Sequence, residues 1–180
     1  MSATGPEPLR LHRDRIGADW VDYNGHMNEA YYVLIFSRAT DAFMDRIGLG
    51  PAGRARSGFT LFTGEARIRY LHEALEGEEV AIESLIRAWD EKRLVLHHRM
   101  LNARTRSLLA ETEMLLLSVD QRSRRVAPFP PAVAEKLAAL TAAHGDPAGT
   151  RSPEWSLPDA IDKRTATPRR GRETKDGGFR

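Results

Sequence analysis

The chain is 180 residues long, a length that suits one domain of ordinary size with terminal segments to spare and can bury a core without disulfide or metal staples. It contains no cysteine, which excludes disulfides, thiolate metal ligation and a cysteine nucleophile, and fits a reducing compartment. The net charge of +2 is unevenly placed: residues 151–180 carry eight Lys/Arg against five Asp/Glu, so residues 1–150 sit at −1 and lack the basic footprint that nucleic-acid binding requires.

Residues 1–10 show no apolar export core, and no stretch approaches the ~20 apolar residues of a membrane span. A cytoplasmic protein without membrane or nucleic-acid partners is expected. Leu9 to Ile16 alternates in the manner of a strand and runs into an obvious turn. From Asn28 the period changes to that of a helix, with Tyr31, Leu34, Ile35, Ala39, Ala42, Phe43 and Ile47 on one face. Asn28 can cap its N-terminus, and Gly48 can supply the left-handed residue that ends it.

After a Gly/Pro/Arg-rich loop at 48–58, four strands are predicted: Phe59 to Glu73, Glu79 to Trp89, Arg93 to Ala103 and Leu108 to Val119. Links of hairpin length pair them antiparallel. In the second of these strands Val80, Ile82, Ile86 and Ala88 share a face opposite Glu83 and Arg87, so one face is expected to be buried. One long helix followed by a meander is an α+β arrangement in which the helix must cover the sheet. Pro128 to Pro131 then leads into a short Ala/Leu-rich helix, Ala132 to Ala143, expected on the outside of the sheet. The folded unit is therefore placed at 9–144, after a flexible 1–8. Residues 145–180 have too little apolar content to offset chain entropy and are expected to be a disordered basic tail, with room for a short docked segment at Trp155.

The chemistry is concentrated between the first strand and the helix, in Asp22-Tyr23-Asn24-Gly25-His26-Met27-Asn28. A turn there can set a carboxylate beside a helix N-terminus, whose unpaired N–H groups suit a developing oxyanion, as thioester hydrolysis needs. Asp22, Asn24 and Asn28 can equally be ordinary turn and cap residues.

Strand, D-Y-N-G-H-M-N, long helix, glycine loop, F-T-G-E-A-R-I-R-Y-L and three further strands together resemble the hotdog-fold thioesterases of the 4-hydroxybenzoyl-CoA thioesterase type, over roughly residues 9–130. The motif D-x-x-G-H-M-N followed by A-Y-Y, R-x-R-Y-L-x-E-A-x-x-G and a final A-P-F-P-P are most similar to the betainyl-CoA thioesterases of carnitine breakdown. The resemblance implies an antiparallel sheet wrapped around one central helix, hydrolysis of an acyl-CoA without further cofactor, and a homodimer with the active site at its interface. It assigns the catalytic carboxylate to Asp22 and the glycine to Gly25, and puts the N–H that polarises the thioester carbonyl near Glu29. Asp22 then acts as a nucleophile, or as a general base on water. A carboxylate of ordinary acidity is a poor base at neutral pH, which favours the nucleophile.

The remaining candidates have two readings each. His26 is a general base or the residue that fixes the turn; Asn24 holds water or the substrate carbonyl, or makes an Asx turn. Glu65 is a second acid near the thioester, or a surface partner of Arg67 and Arg69. Arg67, Arg69, Lys92 and Arg93 are cations that could meet the phosphates of CoA. A trimethylammonium acyl group favours aromatic faces, and Trp20, Tyr23, Tyr31, Tyr32, Phe59 and Phe62 flank the motif or the facing strand, Tyr31 and Phe62 first among them.

Overall fold

The computed structural model describes residues 7–144; the expectations for residues 1–6 and for the tail, Trp155 included, fall outside that range. Six strands form one antiparallel sheet: β1 (Leu9–Arg15), β2 (Phe59–Tyr70), β3 (Glu79–Trp89), β4 (Arg93–Asn102), β5 (Leu108–Asp120) and the two-residue β6 (Arg125–Val126). The order is β1-β3-β4-β5-β2, and β6 continues beside β5 where β4 ends. The 19-residue α1 (Glu29–Ile47) packs across one face. This is the hotdog arrangement that the resemblance implied.

Both ends of α1 are made as expected. The Asn28 side chain accepts the Ala30 N–H at 3.0 Å, and Gly48 turns left-handed at φ 86°. The buried stripe, however, is Tyr32, Ile35, Phe36, Ala39, Thr40, Phe43, Met44 and Ile47. The predicted face was rotated too far toward Tyr31, Leu34 and Ala42: Leu34 is exposed, because the two adjacent tyrosines fit either register and only packing against β3 and β4 decides between them.

Three further expectations are corrected. Residues 48–58 are not all loop, since α2 (Pro51–Ser57) forms between Gly50 and the left-handed Gly58, with Pro51 pre-set for its first turn. The last helix, α3 (Pro131–Ala143), lies beside α1 rather than outside the sheet. Its Val133 and Leu137 complete a cluster with Phe43, Ile47, Leu61, Leu94, Leu96 and Leu116. The reverse face of β3 is also covered: Glu83 is buried among Arg10, Arg99 and Arg106. In register, Arg10, Glu83, Arg99, Glu111 and Arg69 form a row of alternating charge across all five long strands.

Between the two apolar clusters under α1 lies one polar network. The fully buried His98 ring stacks on Phe36, its Nδ1 meets Ser84 Oγ at 2.7 Å, and its Nε2 meets Thr40 Oγ1 at 3.0 Å. Thr40 donates its own proton to the Phe36 carbonyl, so Nε2–H donates to Thr40 and Nδ1 accepts from Ser84. The neutral imidazole satisfies both partners. Burial, and secondarily the neighbouring His97, pushes the His98 pKa down to about 3.

Candidate active site

The segment between β1 and α1 is a small bulged hairpin. Val21 bridges Met27, the Asp22 N–H donates to the His26 carbonyl at 3.0 Å, and the Gly25 N–H donates to the Asp22 carbonyl at 3.0 Å. Gly25, at φ 86°, takes the left-handed third loop position that a three-residue hairpin needs, a conformation costly for any side chain. Asn24 orients the half-buried Asp22 carboxylate, its N–H reaching Oδ1 at 2.8 Å and its amide reaching Oδ2 at 3.3 Å. The Asx-turn geometry is therefore present, and it directs the carboxylate rather than competing with a chemical role.

The loop is held from two sides. On one, Tyr31 stacks on Trp20 with ring centres 5.2 Å apart and donates its hydroxyl to the Asp19 carbonyl, while Arg38 lies over Trp20 and pairs with Asp14 of β1. On the other, the loop pairs with the segment after β2. The Met27 N–H donates to the Ala74 carbonyl at 2.8 Å, His26 bridges Leu75, and His26 Nε2 approaches Glu73 Oε2 at 3.1 Å. That segment is fixed in turn by Leu71 and His72, whose N–H groups both reach the Leu109 carbonyl. Strand β2 thus ends at Tyr70, three residues short of the predicted Glu73, because residues 71–75 turn to serve the Asp22 loop.

At the start of α1, the Ala30 and Tyr31 N–H groups bond to Asn28, through its side chain and its carbonyl. The Glu29 N–H has no hydrogen-bond partner among the described residues. An unpaired donor at the positive end of a 19-residue helix is suited to hold a carbonyl oxygen that gains charge.

Of the residues singled out in the sequence, Asp22, Asn24, Gly25, His26, Asn28, Glu29 and Tyr31 lie together in this loop and helix start. Phe62, Glu65, Arg67 and Arg69 do not join them within the chain. They pair with Leu117, Leu115, Glu113 and Glu111 on the sheet face away from α1, and Glu65 and Arg69 have carboxylate–guanidinium contacts with Arg67 at 3.2 Å and Glu111 at 2.6 Å. Phe62 is eight residues up β2 from Tyr70, roughly 26 Å at the rise of a strand. Lys92 and Arg93 sit in the β3–β4 hairpin, beside Glu91 and Asp90.

Sequence reasoning missed Tyr70 and Glu73. Tyr70 stands on the α1 side of β2 with its ring edge-on to Tyr32, centroids 5.3 Å apart at 89°, and is half exposed. Burial first and then the charge of Glu29 push its phenol pKa up. Tyr32 is pushed up by burial too, against the Ala74 backbone, with Glu73, Tyr70 and Glu78 adding to the rise. Both residues lie inside R-x-R-Y-L-x-E-A-x-x-G, but the run read as plain strand, so the signal was the motif and not the periodicity. No group of three or more His, Asp or Glu side chains that could hold a metal ion occurs among the described residues, nor any helix long and apolar enough to cross a membrane.

Comparison with known proteins agrees with this geometry. Residues 16–137 match the model of a thioesterase-like superfamily. The betainyl-CoA thioesterase of Pseudomonas aeruginosa is 43% identical over 136 residues, which are 76% of this chain and 86% of that protein. The L-carnitine dehydrogenase/betainyl-CoA thioesterase of Agrobacterium fabrum is 40% identical over 140 residues, 78% of this chain but 28% of that longer protein. Among solved structures, one from Pseudomonas putida KT2440 described as a thioesterase superposes with a TM-score of 0.70 at 38% identity, covering 85% of this chain and 97% of that one.

Proposed function

Because the chain belongs to the thioesterase-like superfamily, we propose that it hydrolyses betainyl-CoA to glycine betaine and CoA. The observation that carries the chemistry is the pairing of an oriented carboxylate at Asp22 with an unpaired N–H at Glu29, on a loop and helix start held by β1 and by residues 71–75. Likeness to betainyl-CoA thioesterases carries the acyl group.

Asp22 attacks the thioester carbon, and the carbonyl electrons move to an oxygen held by the Glu29 N–H and the positive end of α1. Collapse breaks the carbon–sulfur bond and expels the CoA thiolate, leaving a mixed anhydride on Asp22. Water then opens the anhydride, releases glycine betaine and returns the carboxylate. Asn24 holds the attacking oxygen in place, and His26, engaged with Glu73, ties the loop to residues 71–75.

The site is completed by a second copy of the chain. Among the described residues the 12-residue β2 is an edge of the sheet, and pairing it with its own copy would cover a backbone edge that those residues leave open. Arg67 and Arg69 on that strand are the cations offered to the phosphates of CoA. A cytoplasmic location fits a CoA substrate.

Thiol release from a panel of aliphatic, aromatic and betainyl-CoA esters tests the reading. Betainyl-CoA should show the highest kcat/KM, and Asp22→Asn should lower kcat by about 10²–10⁴-fold. A preference for another ester would reassign the acyl group. An unchanged kcat in Asp22→Asn would remove Asp22 from the chemistry, and no thiol release from any ester would make the chain an acyl-CoA-binding module.

A further inference from the structure

Betainyl-CoA carries its trimethylammonium one methylene from the thioester carbonyl. Whatever receives the cation must therefore stand next to the group that holds the carbonyl, which the proposed reaction places at the first turn of α1. A quaternary ammonium has no N–H to donate, so it is recognised by aromatic faces and uncompensated negative charge rather than by hydrogen-bond acceptors.

Of the aromatic residues that flank the motif or the facing strand, Tyr31 and Phe62 do not meet these terms. Phe59 packs on the apolar cluster at the start of β2, and Tyr23 stands 98% exposed at the hairpin tip, with nothing among the described residues packed against it to close a corner. Tyr31 is stacked on Trp20, and the other cation of the neighbourhood, Arg38, already lies over the Trp20 ring. Phe62 is far along β2 on the opposite face. Among the nearby carboxylates, Glu73 faces His26, and Glu78 takes the Leu75 N–H and the Asn102 amide.

Tyr70 and Glu29 are different. Tyr70 presents a half-exposed ring held upright by the buried Tyr32, and neither its hydroxyl nor the Glu29 carboxylate has a hydrogen bond or ion pair among the described residues. Glu29 precedes Tyr32 by three residues, one turn of α1, and so stands beside the ring that Tyr70 meets edge-on; the charge of Glu29 accordingly adds to the upward push on the phenol. Glu29 is also the residue whose N–H is offered to the carbonyl, so carbonyl site and corner share one residue.

We propose that Tyr70, braced by Tyr32 and flanked by Glu29, forms the corner that receives the quaternary ammonium of the acyl group and makes the site selective for a cationic acyl-CoA. This rests on the thioesterase reading above and adds to it the residues that read the acyl charge. The ring supplies a π face, and the carboxylate supplies the compensating charge.

The test compares kcat/KM for betainyl-CoA with that for its neutral isostere, tert-butylacetyl-CoA, in wild type, Tyr70→Leu, Tyr70→Phe and Glu29→Gln. The ratio is taken within one preparation, so any loss of folded enzyme cancels. Wild type should prefer the cationic ester, Tyr70→Leu and Glu29→Gln should each cut that preference about tenfold, and Tyr70→Phe, which keeps the ring, should retain it. A ratio unchanged by Tyr70→Leu and Glu29→Gln overturns the corner while leaving hydrolysis intact. If wild type cleaves only the neutral ester, or neither, the betainyl assignment and the corner both fall; hydrolysis itself falls only if no ester of the wider panel releases thiol.

Discussion

Acid should loosen α1 from the sheet through His98. The ring titrates near 6.5 in an unfolded chain, whereas burial in the Ser84–Thr40 network depresses it to about 3 in the native state. Between those values the unfolded chain holds a proton that the folded chain does not, so stability is complete above the higher value and falls as pH drops toward the lower. Lowering pH from 7 to 5 crosses about 1.5 units of that window and should cost about 2 kcal/mol, a sizeable share of the ~5–15 kcal/mol typical of a domain. Urea denaturation at both pH values measures it, in wild type and in His98→Gln, which keeps hydrogen-bonding capacity but does not titrate. His97, pushed down to about 4 by burial and by Arg87, titrates in the same window, so the comparison is repeated in a His97→Gln background. The drop between pH 7 and 5 should be about 2 kcal/mol smaller whenever His98 is replaced. An equal drop with and without His98 would refute the reasoning.

Two further outcomes follow from the packing. Phe43 is fully buried where α1 meets the sheet and α3, so Phe43→Ala should lower unfolding free energy by about 3–5 kcal/mol in the same urea assay. Sedimentation should show a dimer, and Ala66→Lys, on the exposed length of β2, should shift it toward monomer with a parallel loss of activity; a fully active monomer would remove β2 pairing from the account.

The parts of the fold legible in the sequence are those set by local chemistry. Asn28 and Gly48 bracket α1 because a cap and a left-handed stop work within one turn, and β3, β4 and β5 are found within a residue or so because hairpin links constrain them. What was misread depends on partners distant in sequence. The register break in β1 between Arg10 and His12 shifts its alternation, so Leu9 and His12 meet the same side of β3. Glu83 looks like a solvent residue until Arg10, Arg99 and Arg106 converge on it from three other segments. The inner position of α3 depends on Val133 and Leu137 finding Phe43 and Ile47, about ninety residues earlier in the chain.

The same distinction explains the candidate site. Asp22 through Glu29 is contiguous, so the carboxylate, its orienting Asn24 and the helix start could be named from the motif alone. Tyr70 meets Tyr32 at the end of β2, where its register with β5 sets it on the α1 side and residues 71–75 turn to pair with the Asp22 loop, a contact that no periodicity encodes. Charge counting hid the consequence as well. Residues 1–150 sum to −1, yet Glu29, Glu73 and Glu78 lie at the end of the fold that holds the helix start, while Arg67 and Arg69 stand on the other face of β2. Betainyl-CoA has a cation at its acyl end and phosphates at the other, so it requires this kind of local separation of charge. A near-neutral sum, which argued against nucleic acid, is therefore compatible with a substrate recognised by opposite charges at its two ends.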